Sequence, residues 1–108
     1  MDALNLPALA DELLAEAQSA SSGRATRVIQ RSDTGLRQLV LALATGQGLG
    51  DHQNPGHATL QVIRGAVTLS AGEESWSGES GDYLIIPLRT HDLNAHEDSV
   101  VMLTFVTA

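Results

Sequence analysis

Four histidines are the residues of this chain whose type best suits chemistry: His52, His57, His91 and His96. Neutral imidazole is a common ligand for divalent transition metals, and it titrates close to neutral pH. The sequence contains no cysteine, so thiolate metal sites, thiol nucleophiles and disulfides are excluded. No serine stands in a pattern typical of nucleophilic catalysis. No residue is assigned a catalytic role from the sequence, and the histidines are the starting point.

Two stretches of the sequence each carry one or more of these histidines. Residues 50–65 (GDHQNPGHATLQVIRG) indicate a histidine-bearing loop, a buried strand and a tight turn, and residues 81–91 read GDYLIIPLRTH. Together they resemble the two sequence motifs of the cupin family, in which two His and one Glu of the first motif and one His of the second hold a metal ion. The resemblance covers residues 36–106. Within the family, the chain is most similar to small single-domain cupins of the RmlC-like superfamily.

The first motif is only partly retained. When its last glycine is aligned on Gly65, His52 falls on the first histidine position of the family. Asn54 and Ala58 stand where the family has its second histidine and its glutamate. One of three expected metal ligands is therefore present in this stretch.

The second motif keeps Gly81 and Pro87 at the family spacing. Arg89 occupies the place of an expected glycine, and His91 comes one residue early after the proline. The resemblance makes His91 the fourth ligand position and implies that it faces the mouth of a barrel together with a histidine of the first motif. The metal motif as a whole is degenerate.

A divalent metal such as Zn, Ni, Fe or Mn is the cofactor that these residues could hold. His52 and His91 alone would make a weak site, because a tight site has three or four protein ligands. His57 could supply a third ligand if the loop shifts the register by one residue. His96 lies in the polar segment NAHED and is expected in solvent. We expect weak or no metal binding.

Length and charge restrict the class of protein. The 108 residues form a single domain, 1–108, with 43% apolar residues and a net charge of −7. An acidic surface repels nucleic acid and anionic membranes, so neither is expected as a partner. No apolar run approaches the ~20 residues of a membrane span, and the first residues lack the features of a signal peptide. A cytoplasmic location is the expectation.

One amphipathic helix is predicted over residues 6–18. Apolar side chains recur there at helical spacing, Asn5 is a plausible N-cap, and Pro7 lies in the first turn, where a missing N–H costs little. The segment SASSG after Gln18 ends the helix. Packing against the rest of the domain is the expected role.

The rest of the chain, residues 24–107, predicts a barrel of short strands. Glycine-rich turns separate seven or eight segments with β-type patterns, and the longest irregular loop is predicted over residues 46–56. Periodicity and family resemblance both indicate an all-β, antiparallel double-sheet cupin barrel of the jelly-roll type with one short N-terminal helix. The predicted strands are 25–31, 36–45, 57–63, 66–70, 75–77, 83–86 and 99–106.

Alternation along two strands predicts which side chains point into the barrel. Side chains two residues apart lie on the same face of a strand. Ala58 and its alternate neighbours form one such set, and the strand 83–86 supplies another. The predicted pocket-lining residues, beside the histidines, are Asn54, Ala58, Leu60, Val62, Leu84 and Ile86.

The segment Leu36–Thr45 is apolar on both faces. A small domain has one core in which to bury such a strand, and an exposed apolar strand favours association. We therefore predict a homodimer. The alternative is that the N-terminal helix covers the second face.

Two functions are compatible with these observations, and a purely structural or interaction role is a third alternative. The first is a cupin-domain protein that binds a small molecule in the barrel mouth, since an apolar pocket with a few polar groups suffices for binding. The alternative is a metal-dependent cupin enzyme of the dioxygenase, isomerase or decarboxylase type that uses His52 and His91. The metal content of protein purified without a His-tag distinguishes them.

Overall fold

The computed structural model of the chain describes residues 1–53 and 56–107. The chain folds into one N-terminal helix and two antiparallel β-sheets, so the predicted all-β double-sheet fold with one helix is confirmed. Asn54, one of the predicted pocket residues, lies outside the described residues.

The helix, α1, runs from Leu6 to Ser19, one residue beyond the predicted end. Asn5 caps it, because its side-chain Oδ1 accepts a hydrogen bond of 2.8 Å from the backbone N–H of Ala8. The apolar stripe of the helix is buried. In the described part of the chain, no helix is long and apolar enough to cross a membrane.

In the part of the chain that the structure describes, nine strands follow the helix. They are β1 (Arg24–Arg31), β2 (Leu36–Leu43), β3 (Gly48–His52), β4 (Ala58–Arg64), β5 (Ala66–Ala71), β6 (Glu74–Glu79), β7 (Tyr83–Ile85), β8 (His91–Ala95) and β9 (Ser99–Val106). Two of these strands correct the sequence interpretation. The predicted loop 46–56 contains β3, and β8 occupies residues for which no strand was predicted. Strand β3 pairs with β8, and β8 also pairs with β5 on its other side.

The two sheets face each other across one apolar core. The first sheet has the order β1-β2-β9-β4-β7 and the second has the order β3-β8-β5-β6. Alternate residues of each strand point between the sheets, as the strand period of two requires. The fully buried side chains at the centre of this core include Leu43, Leu60, Val62, Val67, Leu93 and Val101.

A second apolar layer lies on the outer face of the first sheet. Helix α1 packs there, and its Leu13 is buried in one cluster with Val40, Ala42 and Val100. Strand β2 is therefore covered on both faces within one chain, as in the alternative to dimer formation. The homodimer stays a prediction, but it loses this part of its motivation.

The carboxylate of Asp98 connects the C-terminal end of helix α1 to the strands by hydrogen bonds. Asp98 accepts hydrogen bonds from the backbone N–H of Thr45 at 2.8 Å and from its hydroxyl at 3.0 Å, and from Gln18 Nε2 at 2.8 Å. These bonds, the Thr45 backbone bond above all, lower the pKa of Asp98 below its ordinary value of 3.8.

Candidate functional site

The β3–β8 ladder brings two histidines from distant parts of the chain side by side. His52, at the end of β3, is paired with His91, the first residue of β8. Their ring centroids are 4.2 Å apart and the ring planes make an angle of 69°, so one ring meets the other edge-on. The two histidines that the motif alignment singled out thus form one pair.

Backbone carbonyls orient both rings. The Nδ1 of His52 lies 2.9 Å from the carbonyl oxygen of Gly50, and the Nδ1 of His91 lies 2.8 Å from that of Arg89. A carbonyl only accepts hydrogen bonds, so each Nδ1 is the donor, and the neutral ring is the Nδ1–H tautomer. This arrangement leaves the lone pair of each Nε2 available to an outside group.

His91 is the buried member of the pair. His91 is 2% exposed, and its Nε2 is buried with no hydrogen-bond partner among residues 1–53 and 56–107. Buried polar atoms in native proteins nearly always have a partner. An acceptor in this position therefore points to a ligand or an ion that satisfies it.

An apolar cavity adjoins His52, the member of the pair that lines it, and we call it the mouth cavity. Its volume is about 340 Å³, within the range of small-molecule sites. The imidazole of His52 forms part of the cavity wall. The lining residues are Thr26, Leu39, Leu41, Leu49, His52, Gln53, Ala58, Ile86, Leu103 and Phe105.

The predicted pocket residues divide between three places. Ala58 and Ile86 line the mouth cavity. Leu60 and Val62 point between the sheets as alternation required, but they lie in the solid core. Leu84 lines a different cavity on the opposite side of the core.

The described residues do not complete a metal site around the pair. His57 is exposed just before β4. Among the residues that the structure describes, no group of three or more His, Cys, Asp or Glu side chains could hold a metal ion. Ala58, on the cavity wall, has no ligand atom where the family motif has glutamate. Two oriented imidazoles are thus present, and the remainder of a metal-binding set is not found in the described chain.

Several lining residues were missed from the sequence. Leu39 and Leu41 alternate along β2, and Leu103 and Phe105 alternate along β9, so their shared faces were readable from the pattern. The position of these four residues at the mouth cavity could not be predicted from the sequence pattern, because it depends on the register between the strands. In β9, Phe105 lies directly opposite Ala58 of β4.

Comparison with known proteins gives the fold. No known protein-family profile matches the sequence, and no curated protein matches it. A conserved protein of unknown function from Streptococcus pyogenes has a similar solved structure, with 25% identity and a TM-score of 0.72 over 82% of this chain and 78% of that one.

Two further solved structures share the architecture. A cupin superfamily protein from Desulfitobacterium hafniense has 12% identity and a TM-score of 0.73 over 79% of this chain and 78% of that one. A mutant of salicylate 1,2-dioxygenase from Pseudoaminobacter salicylatoxidans has 18% identity and a TM-score of 0.76 over 90% of this chain, but only 32% of its own. The chain has the fold of the RmlC-like cupin proteins.

Proposed function

We propose that the mouth cavity binds a small, largely apolar molecule that carries a hydroxyl group, such as a phenol or an alcohol. The observation that carries the proposal is His52 in the wall of this cavity, in ring contact with His91, with each Nδ1 fixed by a carbonyl and each Nε2 left as an acceptor. His91, whose ring packs edge-on against His52, has a buried Nε2 with no partner among the described residues, and a hydroxyl donor that reaches the pair would satisfy it.

The walls support this chemistry. Leu39, Leu41, Leu103 and Phe105 offer an apolar surface to the body of the ligand. Among residues 1–53 and 56–107, no Asp, Glu, Lys or Arg lines the cavity, so a neutral ligand is favoured over an ionised one. The hydroxyl of the ligand would donate to an Nε2 of the histidine pair and fix the orientation of the molecule.

Titration calorimetry with p-cresol and toluene tests the proposal. The two molecules have nearly the same apolar body, and only p-cresol has a hydroxyl. We expect p-cresol to bind at least about tenfold more tightly, since an unpaired buried acceptor is costly. Equal affinities, or no binding of p-cresol at millimolar concentration, would contradict the proposal.

Two threonine variants provide a matched pair. Thr26 is an exposed residue on the rim of the cavity, and Thr26→Phe should weaken the binding of both molecules by filling the space. Thr59 lies on β4, one residue along from the inward-pointing Ala58 and therefore on the opposite face, and Thr59→Phe should leave the affinities unchanged.

A metal-dependent enzyme is the second candidate. The specific observation in its favour is the second contact of each histidine, because metal-ligating histidines usually donate their other ring nitrogen to a carbonyl or carboxylate. One solved structure of the same fold is a dioxygenase. Stoichiometric Fe, Mn, Ni or Zn in protein purified without a tag, lost in a His52→Ala variant, would favour this candidate over the first.

A further inference from the structure

A second cavity lies on the opposite side of the core, between the edge strands β6 and β7 of the two sheets, and we call it the seam cavity. Its volume is about 220 Å³, and none of the described residues lines both this cavity and the mouth cavity. Its walls are largely apolar, and its rim carries two opposite charges. The residues that matter here are Leu69, Trp76, Leu84, Pro87, Glu74 and Arg89.

The positive charge at the rim belongs to Arg89. Its Nη2 donates a hydrogen bond of 2.6 Å to Glu74 Oε1. Among the described residues, this is the single hydrogen bond of the Arg89 guanidinium. A guanidinium has five N–H donors in a fork that matches a carboxylate. Arg89 can therefore hold a carboxylate by two parallel hydrogen bonds, which its contact with Glu74 does not use.

The Arg89–Glu74 pair is easily exchanged. The side chains are 48% and 81% exposed, and an ion pair in water contributes little to stability. A carboxylate from another molecule can take the place of Glu74 at small cost to the fold. Glu74 is then free to turn into solvent.

The floor of the cavity suits an apolar chain. Leu69 is 4% exposed, and Leu84 and Trp76 pack against the same inner core. An alkyl or small cyclic group that enters between β6 and β7 would cover this surface and remove it from water. A strongly hydrated anion such as phosphate would gain nothing from these walls.

We propose that the seam cavity is a second ligand site, which binds a small carboxylic acid with an apolar tail. The carboxylate replaces Glu74 on the guanidinium of Arg89, and the tail lies against Trp76 and Leu84. The site is separate from the mouth cavity and does not depend on the function proposed for it.

Fluorescence of the full chain tests this site directly, because Trp76 is the single tryptophan of the sequence. Hexanoate is transparent at the wavelengths used and provides a carboxylate with an apolar tail. We expect a saturable change of Trp76 emission with hexanoate, and a much weaker response to hexanol or hexylamine, which lack the carboxylate. Equal responses to the three compounds would overturn the proposal.

Two variants should move the hexanoate affinity in opposite directions. Arg89→Met should lower it at least about tenfold, because a charge-assisted pair is lost. Glu74→Gln should raise it by about threefold, because the internal competitor loses its charge. Arg27→Met makes the same change of net charge at the helix–sheet ion pairs and should leave the affinity unchanged.

The same titration distinguishes the two cavities. Thr26→Phe, which narrows the mouth cavity, should not change the response to hexanoate. If Thr26→Phe abolishes the response while Arg89→Met behaves like Arg27→Met, the carboxylate binds at the mouth and the seam site is refuted. Circular dichroism on each variant verifies that the fold is retained.

Discussion

The buried Nε2 of His91 predicts that removing the imidazole stabilises the protein. The ring is 2% exposed, its Nδ1 is bonded to the carbonyl of Arg89, and its Nε2 has no partner in the described part of the chain. Leucine is apolar and similar in size to histidine, so His91→Leu keeps most of the packing. We expect the variant to be more stable than the native protein.

The magnitude follows from two opposing terms. A buried acceptor without a partner costs about 1–3 kcal/mol. The hydrogen bond from Nδ1 to Arg89, which the leucine loses, contributes about 1 kcal/mol. The difference favours the variant by about 1 kcal/mol, which in a domain of this size raises the melting temperature by about 5 °C.

Urea and thermal unfolding, followed by circular dichroism, measure this gain. The control is His96→Leu, because His96 is exposed and its Nε2 is hydrogen-bonded to Thr68 Oγ1. That surface change should stay within about 0.5 kcal/mol of the native stability. A loss of about 2 kcal/mol or more in His91→Leu would refute the reasoning, since it would mean that the imidazole is fully satisfied.

Four other outcomes are expected. Ala58→Glu together with Asn54→His should raise Zn or Ni affinity by orders of magnitude in titration calorimetry; tight, stoichiometric binding by the native protein would contradict this. The lowered pKa of Asp98 gives stability that is present above pH 3.8 and lost as the pH falls through the folded-state value. Asp98→Asn should therefore flatten the acid side of the urea-unfolding profile, and an unchanged profile would exclude this role. Leu60→Ala should cost about 3 kcal/mol in urea unfolding, because its side chain is fully buried, and a cost below about 1 kcal/mol would argue against the packing. Light scattering at micromolar concentration should show a homodimer, and a monomer would exclude it.

Much of the fold was readable from the sequence because the backbone restricts a few residues strongly. Gly65, the last residue of the first motif, has a φ of +91°, and a Cβ there would collide with the backbone and side chain at Ser99. Gly81, which opens the second motif, has a φ of +93°. These positions keep the family pattern because the turns need glycine, whether or not a metal is bound.

Strands β3 and β8 were not predicted from the sequence, and the reason is physical. The segment Gly48–His52 has two glycines and an aspartate, which have low intrinsic preference for a strand. Its extended form depends on pairing with His91–Ala95, which lies 39 residues or more away along the chain. In β8, the inward residues His91, Leu93 and Ala95 do alternate with polar ones, and that pattern was the available signal.

The juxtaposition of His52 and His91 was predictable from the sequence, and the residues that line the cavity were not. The motif alignment selected His52 and His91, and their ring centroids are 4.2 Å apart in the structure. The walls depend on strand register. Ala58 lies opposite Phe105 only because β4 and β9 are aligned in that way, and a shift of one residue would turn each side chain to the other face.

Arg89 could couple ligand binding at the mouth cavity to ligand binding at the seam cavity. Its guanidinium lies at the rim of the seam cavity, while its carbonyl oxygen holds the ring of His91. A ligand that shifts the backbone of Arg89 from either side changes the hydrogen bond that sets the tautomer and orientation of that ring. Thermodynamic linkage then requires reciprocity: the factor by which one ligand alters the affinity for the other is the same in both directions.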